Sequence, residues 1–330
     1  MRVHVLAMAL TLALVPAAQA AGSPPLQFQP GAVYGAPEGA APIGELAGVA
    51  TDALGHVWAT DGAGHRLVRW DAEGRWLGES GALGSEVNQF RHPGSLARLG
   101  SFGIAVLDAE NRRVVVFDLL ARRADLAVAL DDPALESLAG RIDPVALAAD
   151  RGGALYVADA DRDRILVVDF AGHYQRTIGG HGVAPGTFPG RVALAVAPRG
   201  EIVTLERAVP APRRGRKPSA DSTAASLAAR VQWLDAGGTP LAHWTLEGRA
   251  DAVSAIAVDD SGRVAVALER AAEGEGGEVR LLSREGALLG SLSGFGRPRA
   301  LAFAPDGALL VAEADAGRVR RFRLAPPRGE

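Results

Sequence analysis

The stretch from Gly153 to Gly180, GALYVADADRDRILVVDFAGHYQRTIGG, decides the fold. It holds three short runs with β-type patterning, 155–158, 165–168 and 174–178, of apolar or alternating residues bounded by turn formers. The polar segment 159–164 separates the first two runs. Asp169-Phe170-Ala171-Gly172 separates the second and third. The same phrase, with drift, recurs along most of the chain.

Aligning the repeats on the acid that ends the second strand of each unit gives Asp61, Asp108, Asp159, Glu206, Glu269 and Glu313. Their spacing of roughly 45–50 residues, with one longer interval, is that of an array whose units bury their faces only against neighbours. Before each acid stand a glycine turn and an apolar strand. Ahead of that lies a strand of small residues, such as Gly48-Val49-Ala50-Thr51, Ala146-Leu147-Ala148-Ala149 or Ala255-Ile256-Ala257-Val258, which suits the crowded centre of a radial array. An arginine follows the acid at a fixed offset in four units: Asp61 with Arg66, Asp108 with Arg113, Asp159 with Arg164, Glu313 with Arg318. That spacing spans a tight hairpin and places carboxylate and guanidinium opposite each other. The fourth unit keeps Glu206 and Arg230 across an insertion. The fifth departs, with Glu278 near the arginine position. We read these as structural ion pairs that pin hairpin register. As exposed pairs, each would contribute only ~0.2–1 kcal/mol.

Asp71, Asp118, Asp169 and Asp235 close the third strand, and Gly74, Gly172, Gly238 and Gly286 mark the turn into a fourth. Four strands per unit without amphipathic crossover helices exclude a parallel α/β sheet and predict an all-β, six-bladed β-propeller of four-stranded antiparallel blades. The blades are expected at about 44–93, 94–144, 145–190, 191–253, 254–298 and 299–325, followed by a tail, 326–330. The sixth unit offers three strands only. Leu26-Gln27-Phe28-Gln29 is expected to supply the fourth, closing the ring and covering an edge, with 31–42 as a loop. Asp131-Asp132-Pro133 and Gly140 bracket a short capped helix. The insertion 207–229 reads as a surface loop carrying Arg213, Arg214, Arg216 and Lys217.

The chain has 330 residues, 48% hydrophobic and 22% charged, enough to bury a core. A net charge of −3 argues against a generally nucleic-acid-seeking surface, and the skew to 34 arginines against one lysine carries no functional weight. Residues 1–20 read as a secretory signal: Arg2 and His4, an apolar run over 5–15, then Ala18-Gln19-Ala20 as a small-x-small cleavage site. That run is too short to span a bilayer comfortably, and no other segment comes closer. With no cysteine anywhere, disulfides, thiolate metal sites and lipid attachment at cysteine are excluded. The expected location is the periplasm or exterior, without a lipid anchor.

The phrase resembles the NHL family of six-bladed β-propellers. The resemblance rests on Leu155-Tyr156-Val157-Ala158-Asp159 with Arg164, on Arg113-Val114-Val115-Val116-Phe117-Asp118, on Gln89-Phe90-Arg91-His92-Pro93 and on Phe295-Gly296-Arg297-Pro298. It covers about Gly44 to Leu324. It implies a propeller and does not imply one function, because propellers host binding, scaffolding and catalysis alike.

Residues just ahead of the innermost strands should surround one mouth of the central channel: Glu45, His92, Asp143, Arg191, Asp251, and Arg297 or Arg299. This mixed ring could hold a polar ligand; the plainer reading is solvated loop ends. The basic cluster at 213–217 could contact an anionic envelope component, against the plainer reading of a solvated loop. Amidating lyases with related repeats use several channel histidines, and only His92 stands near the ring. Lactonase-like propellers use inward carboxylates and asparagines, yet asparagine occurs only at Asn88 and Asn111 and the innermost strands are almost wholly apolar. The expectation is therefore an exported, non-catalytic binding scaffold for another envelope protein or a polar ligand, with no cofactor, no metal and no nucleic acid. A metal-assisted propeller enzyme, lyase or lactonase, is the alternative.

Overall fold

A computed structural model describes residues 26–119, 123–190, 192–207, 229–246, 253–269 and 276–325. Among these are 24 strands in six four-stranded antiparallel sheets. The first strand, β1 (Gln27–Tyr34), does not pair with its neighbours in sequence. Blade one holds β2 (Leu46–Thr51), β3 (Val57–Asp61), β4 (Arg66–Trp70) and β5 (Trp76–Ser80). Blade two holds β6 (Leu96–Leu99), β7 (Gly103–Asp108), β8 (Arg113–Asp118) and β9 (Arg123–Ala129), and is followed by the helix α1 (Pro133–Ala139). Blade three holds β10 (Pro144–Ala149), β11 (Leu155–Asp159), β12 (Arg164–Val168) and β13 (Tyr174–Gly179). Blade four holds β14 (Val192–Val196), β15 (Ile202–Arg207), β16 (Ala229–Leu234) and β17 (Pro240–Leu246). Blade five holds β18 (Val253–Val258), β19 (Val264–Leu268), β20 (Gly277–Leu282) and β21 (Leu288–Phe295). Blade six holds β22 (Pro298–Phe303), β23 (Leu309–Glu313) and β24 (Arg318–Ala325).

The fourth strand of blade six is β1, antiparallel to β24 from Gln27 opposite Ala325 to Tyr34 opposite Val319. This strand is longer than its sequence suggested. It runs into the glycine- and proline-rich segment expected to be loop, with a register shift between Pro30 and Val33. Two things permit this: β24 offers eight residues of edge, and a bulge accommodates an irregular stretch without ending the pairing. Tyr34 then turns inward, fully buried, and packs edge-on against Trp70 of blade one at 5.9 Å.

Turn chemistry sets the hairpins. Asp52, Asp71, Asp150, Asp169, Asp235 and Asp259 each accept, through Oδ1, the backbone N–H groups two and four residues on, at 2.8–3.1 Å. The N–H of Thr239, with its neighbours, holds the Asp235 carboxyl below the ordinary aspartate range. Gly74, Gly172 and Gly238 adopt φ of 91–97° in these turns, and Gly286 adopts φ of 90° in the turn closed by Ser283, a region that disfavours a Cβ. At Gly238 an added Cβ would also stand 2.7 Å from Ile178 of the preceding blade.

The acid–arginine pairs form as the spacing predicted: Arg66 Nε lies 3.1 Å from Asp61, and Arg113, Arg164 and Arg318 lie 2.8 Å from Asp108, Asp159 and Glu313. Glu206 and Arg230 pair at 2.8 Å. The expectation that they are exposed is wrong. The carboxylates of Asp61, Asp108, Asp159, Glu206 and Glu313 are buried, as are Arg66, Arg164 and Arg230. Each of the first three arginines also donates to carbonyls of the segment entering its blade: Arg66 to Pro42, Arg113 to Gln89, Arg164 to Ala139. The carboxylates in turn accept N–H groups from the residue just ahead of the blade's innermost strand, as Asp159 does from Asp143 and Asp61 from Glu45. The pair therefore lies beneath the incoming chain and ties it to the hairpin, which is why water is excluded.

Blade five corrects the repeat alignment by one residue. Val253 opposes Leu268, as Leu46 opposes Asp61, so Leu268 and not Glu269 holds the acid's position. Leu268 faces Glu278. With the apolar Leu268 opposite, Glu278 has no guanidinium across the hairpin and pairs along its own strand with Arg280 at 3.0 Å. Glu269 instead meets Arg299 of blade six at 2.9 Å. The helix α1 is capped as expected: the Asp132 carboxylate accepts from Ala134 and Leu135, and Gly140, at φ 71°, donates back to Glu136.

Candidate functional site

The channel wall is built from three stacked layers, one residue per blade in each. Strand register defines them. The deepest holds Val49, Leu96, Leu147, Leu194, Ile256 and Leu301, and the second is entirely alanine: Ala50, Ala97, Ala148, Ala195, Ala257 and Ala302. Small side chains here let six strands converge. The third layer is Thr51, Arg98, Ala149, Val196, Val258 and Phe303. All three border a cavity of about 380 Å³ that opens beyond the third layer, where the first hairpin of each blade turns.

Charge appears at that rim. Arg151 of blade three meets Asp260 of blade five at 3.2 Å, and both side chains are largely exposed. Arg263 closes on Asp259 at 2.6 Å. Asp150 Oδ2 accepts from the Tyr156 hydroxyl at 3.2 Å. Burial, with the Asp150 charge beside it, pushes the Tyr156 phenol up. The half-buried Arg98 differs from these: among the described residues its guanidinium has no hydrogen-bond or ion-pair partner.

The expected ring of ligand-binding residues lies at the opposite ends of the innermost strands. Of its members, Glu45 and His92 come together, Oε2 to Nε2 at 3.5 Å. The His92 N–H donates to His65 Nδ1 at 3.0 Å. Asp143 and Arg297 are exposed, and their backbone N–H groups are held by the Asp159 and Asp315 carboxylates. Arg299 is the partner of Glu269. None of these five borders the cavity. Arg191 and Asp251, like Arg213, Arg214, Arg216, Lys217 and the segment 1–20, lie outside the described residues.

The sequence reading missed Arg98, Asp150, Arg151, Asp259, Asp260 and Arg263. Arg98 carried a usable signal, as the lone charge in the small, apolar phrase Leu96-Ala97-Arg98-Leu99 at a position that is Thr, Ala, Val, Val or Phe in the other blades. Among the described residues, no three His, Asp or Glu side chains gather as metal ligands would, and no helix is long and apolar enough to cross a membrane.

The sequence matches no family profile and no curated protein. Solved structures do share the fold. A streptogramin B lyase is 12% identical, with a TM-score of 0.57 over 91% of this chain and 98% of that one. The WD40 repeats of RRP9 are 15% identical, with a TM-score of 0.58 over 91% of this chain and all of the other. Hydrazine synthase of Kuenenia stuttgartiensis is 17% identical, with a TM-score of 0.54 over 84% of this chain and 77% of that one. The chain is a six-bladed β-propeller. At these identities the likeness is one of fold.

Proposed function

We propose that this chain is an exported propeller of the NHL type that acts by binding, as a non-catalytic scaffold for another envelope protein or a polar ligand. The channel carries this reading. Its wall is apolar through two complete layers, and the carboxylates at its rim are occupied: Asp259 and Asp260 by arginines, Asp150 by backbone N–H groups and a phenol. Asp150 and Asp259, each engaged through both oxygens, are poorly placed as general bases or metal ligands, which need a free lone pair aimed at substrate or ion. A shaped cavity with polar groups at its margin suits recognition. The NHL assignment draws on the acid–arginine hairpins, and export on the signal-like residues 1–20.

Crosslinking and capture from the native envelope tests the reading. The wild-type protein is expected to retain a defined partner, and the double substitution Arg151→Ala with Asp260→Ala to weaken that capture while the protein stays folded. Fractionation should find a chain beginning at Ala21 outside the cytoplasm. A stoichiometric divalent ion in the purified protein, with turnover that follows it, would instead favour the metal-assisted lyase or lactonase reading.

A further inference from the structure

Among the described residues, every cation bordering the channel cavity except one has an acid. Arg151 has Asp260 and Arg263 has Asp259. Arg98 projects from the innermost strand β6 onto the cavity wall, half-buried, with no hydrogen-bond or ion-pair partner among the described residues. It is the single charge in its layer, where the other blades place Thr51, Ala149, Val196, Val258 and Phe303. A guanidinium that borders a cavity with no acid beside it keeps its N–H donors free for an anion that a ligand brings. Its planar fork matches a carboxylate or phosphate through two parallel N–H bonds.

The surroundings select between those anions. Beneath Arg98 lie the alanine layer and the branched apolar layer, which offer no further donor to a second negative charge. A phosphate monoester carries about −1.5 to −2 near neutral pH, more than one arginine balances, whereas a carboxylate carries one charge. The apolar layers would take a compact hydrocarbon body, and about 380 Å³ is within the range of small-molecule sites. We propose that the channel binds a small monocarboxylate, its carboxylate on Arg98 and its apolar body against the alanine layer. This rests on the binding reading above and names the ligand class for the same cavity.

Calorimetric titration with hexanoate, hexanol and hexyl phosphate tests it. Hexanoate should bind the wild-type protein, with hexanol and hexyl phosphate at least about tenfold weaker. Arg98→Gln should weaken hexanoate by at least about tenfold, and Arg98→Lys by less, because lysine keeps the charge but loses the fork. Unchanged melting of both variants controls for folding, and the hexanoate-to-hexanol comparison in the wild type needs no variant. Equal hexanoate binding by Arg98→Gln overturns the proposal. So does hexyl phosphate binding as tightly as hexanoate, or a folded wild-type protein that does not bind hexanoate. Loss of hexanoate binding with partner capture intact removes this inference alone; loss of capture with hexanoate binding intact removes the scaffold reading alone.

Discussion

Asp159 and Arg164 show what one repeated pair contributes. The carboxylate takes the Arg164 Nε on one oxygen and the Asp143 N–H on the other, and the Arg164 Nη2 reaches the Ala139 carbonyl at 2.7 Å. With both partners buried, removing one leaves an uncompensated charge. Arg164→Ala is therefore expected to destabilise by about 3–5 kcal/mol, read as a drop in urea midpoint. Arg75→Ala removes a pair whose arginine is 79% exposed and should leave the midpoint unchanged. Equal effects of the two would show that burial is not what gives the hairpin pair its weight. Glu206 adds a pH signature. Burial pushes its carboxyl up, against the opposing pull of Arg230, Gln232 and Thr204. A folded-state value above the unfolded one means that this group's stabilisation is full below the ordinary glutamate range and fades as pH rises through the folded value. Glu206→Gln removes that slope, so the variant's stability relative to wild type should climb across that window. Urea midpoints measured against pH would show it, and a difference that stays flat or falls would contradict it.

At the scale of elements, the closing strand decides whether the ring holds. The strand β1 covers the edge of β24 and delivers Tyr34 into blade one, where its ring meets Trp70 and its hydroxyl donates to Ala72 at 3.0 Å. Blade six is thereby fastened to blade one by a side chain as well as by the chain that runs from β1 into β2. Tyr34→Ala should cost about 3–5 kcal/mol, as for other buried aromatics, and expose an edge prone to self-association. Urea midpoint and light scattering together test both parts, and a variant that keeps the wild-type midpoint refutes the fastening role. The closing strand was legible in the sequence because blade six lacks a partner for its last strand. Its length was not, since the Pro30-Gly31 step looks like loop until a waiting edge accepts a bulge. The same division runs through the blades. Acid–arginine spacing is a local pattern and could be read directly, but the burial of those pairs depends on chain entering from the blade before. The alignment error at Leu268 arose because Glu269 sits one residue beyond a position that only register defines. Arg98 was visible as a residue, yet its meaning comes from five strands distant in sequence.

For the whole molecule, the core is six wedges, one at each blade–blade interface. Strand alternation builds them: Leu147 packs towards blade two while the next residue, Ala148, packs towards blade four. Likewise Val49 joins the wedge with blade six, and Ala50 the wedge with blade two. Each blade therefore contributes to two cores and packs its apolar faces on its neighbours, while the Arg151–Asp260 ion pair links blades three and five at the rim, and the closed ring gives the array no terminal unit that needs a cap. Energetic coupling should follow the same partition. Ile104 belongs to the wedge between blades one and two; Ile165 and Ile202 share the wedge between blades three and four. All three are fully buried, so each Ile→Val change should lose about 0.5–1.5 kcal/mol. Ile104→Val combined with Ile202→Val, drawn from separate wedges, should be additive to within about 0.3–0.5 kcal/mol. Ile165→Val combined with Ile202→Val shares one packing environment and should depart from additivity by more than that. Double-mutant cycles on urea unfolding measure both. Strong coupling between Ile104 and Ile202 would mean that strain passes around the ring through the alanine layer, and the wedges would then be one core.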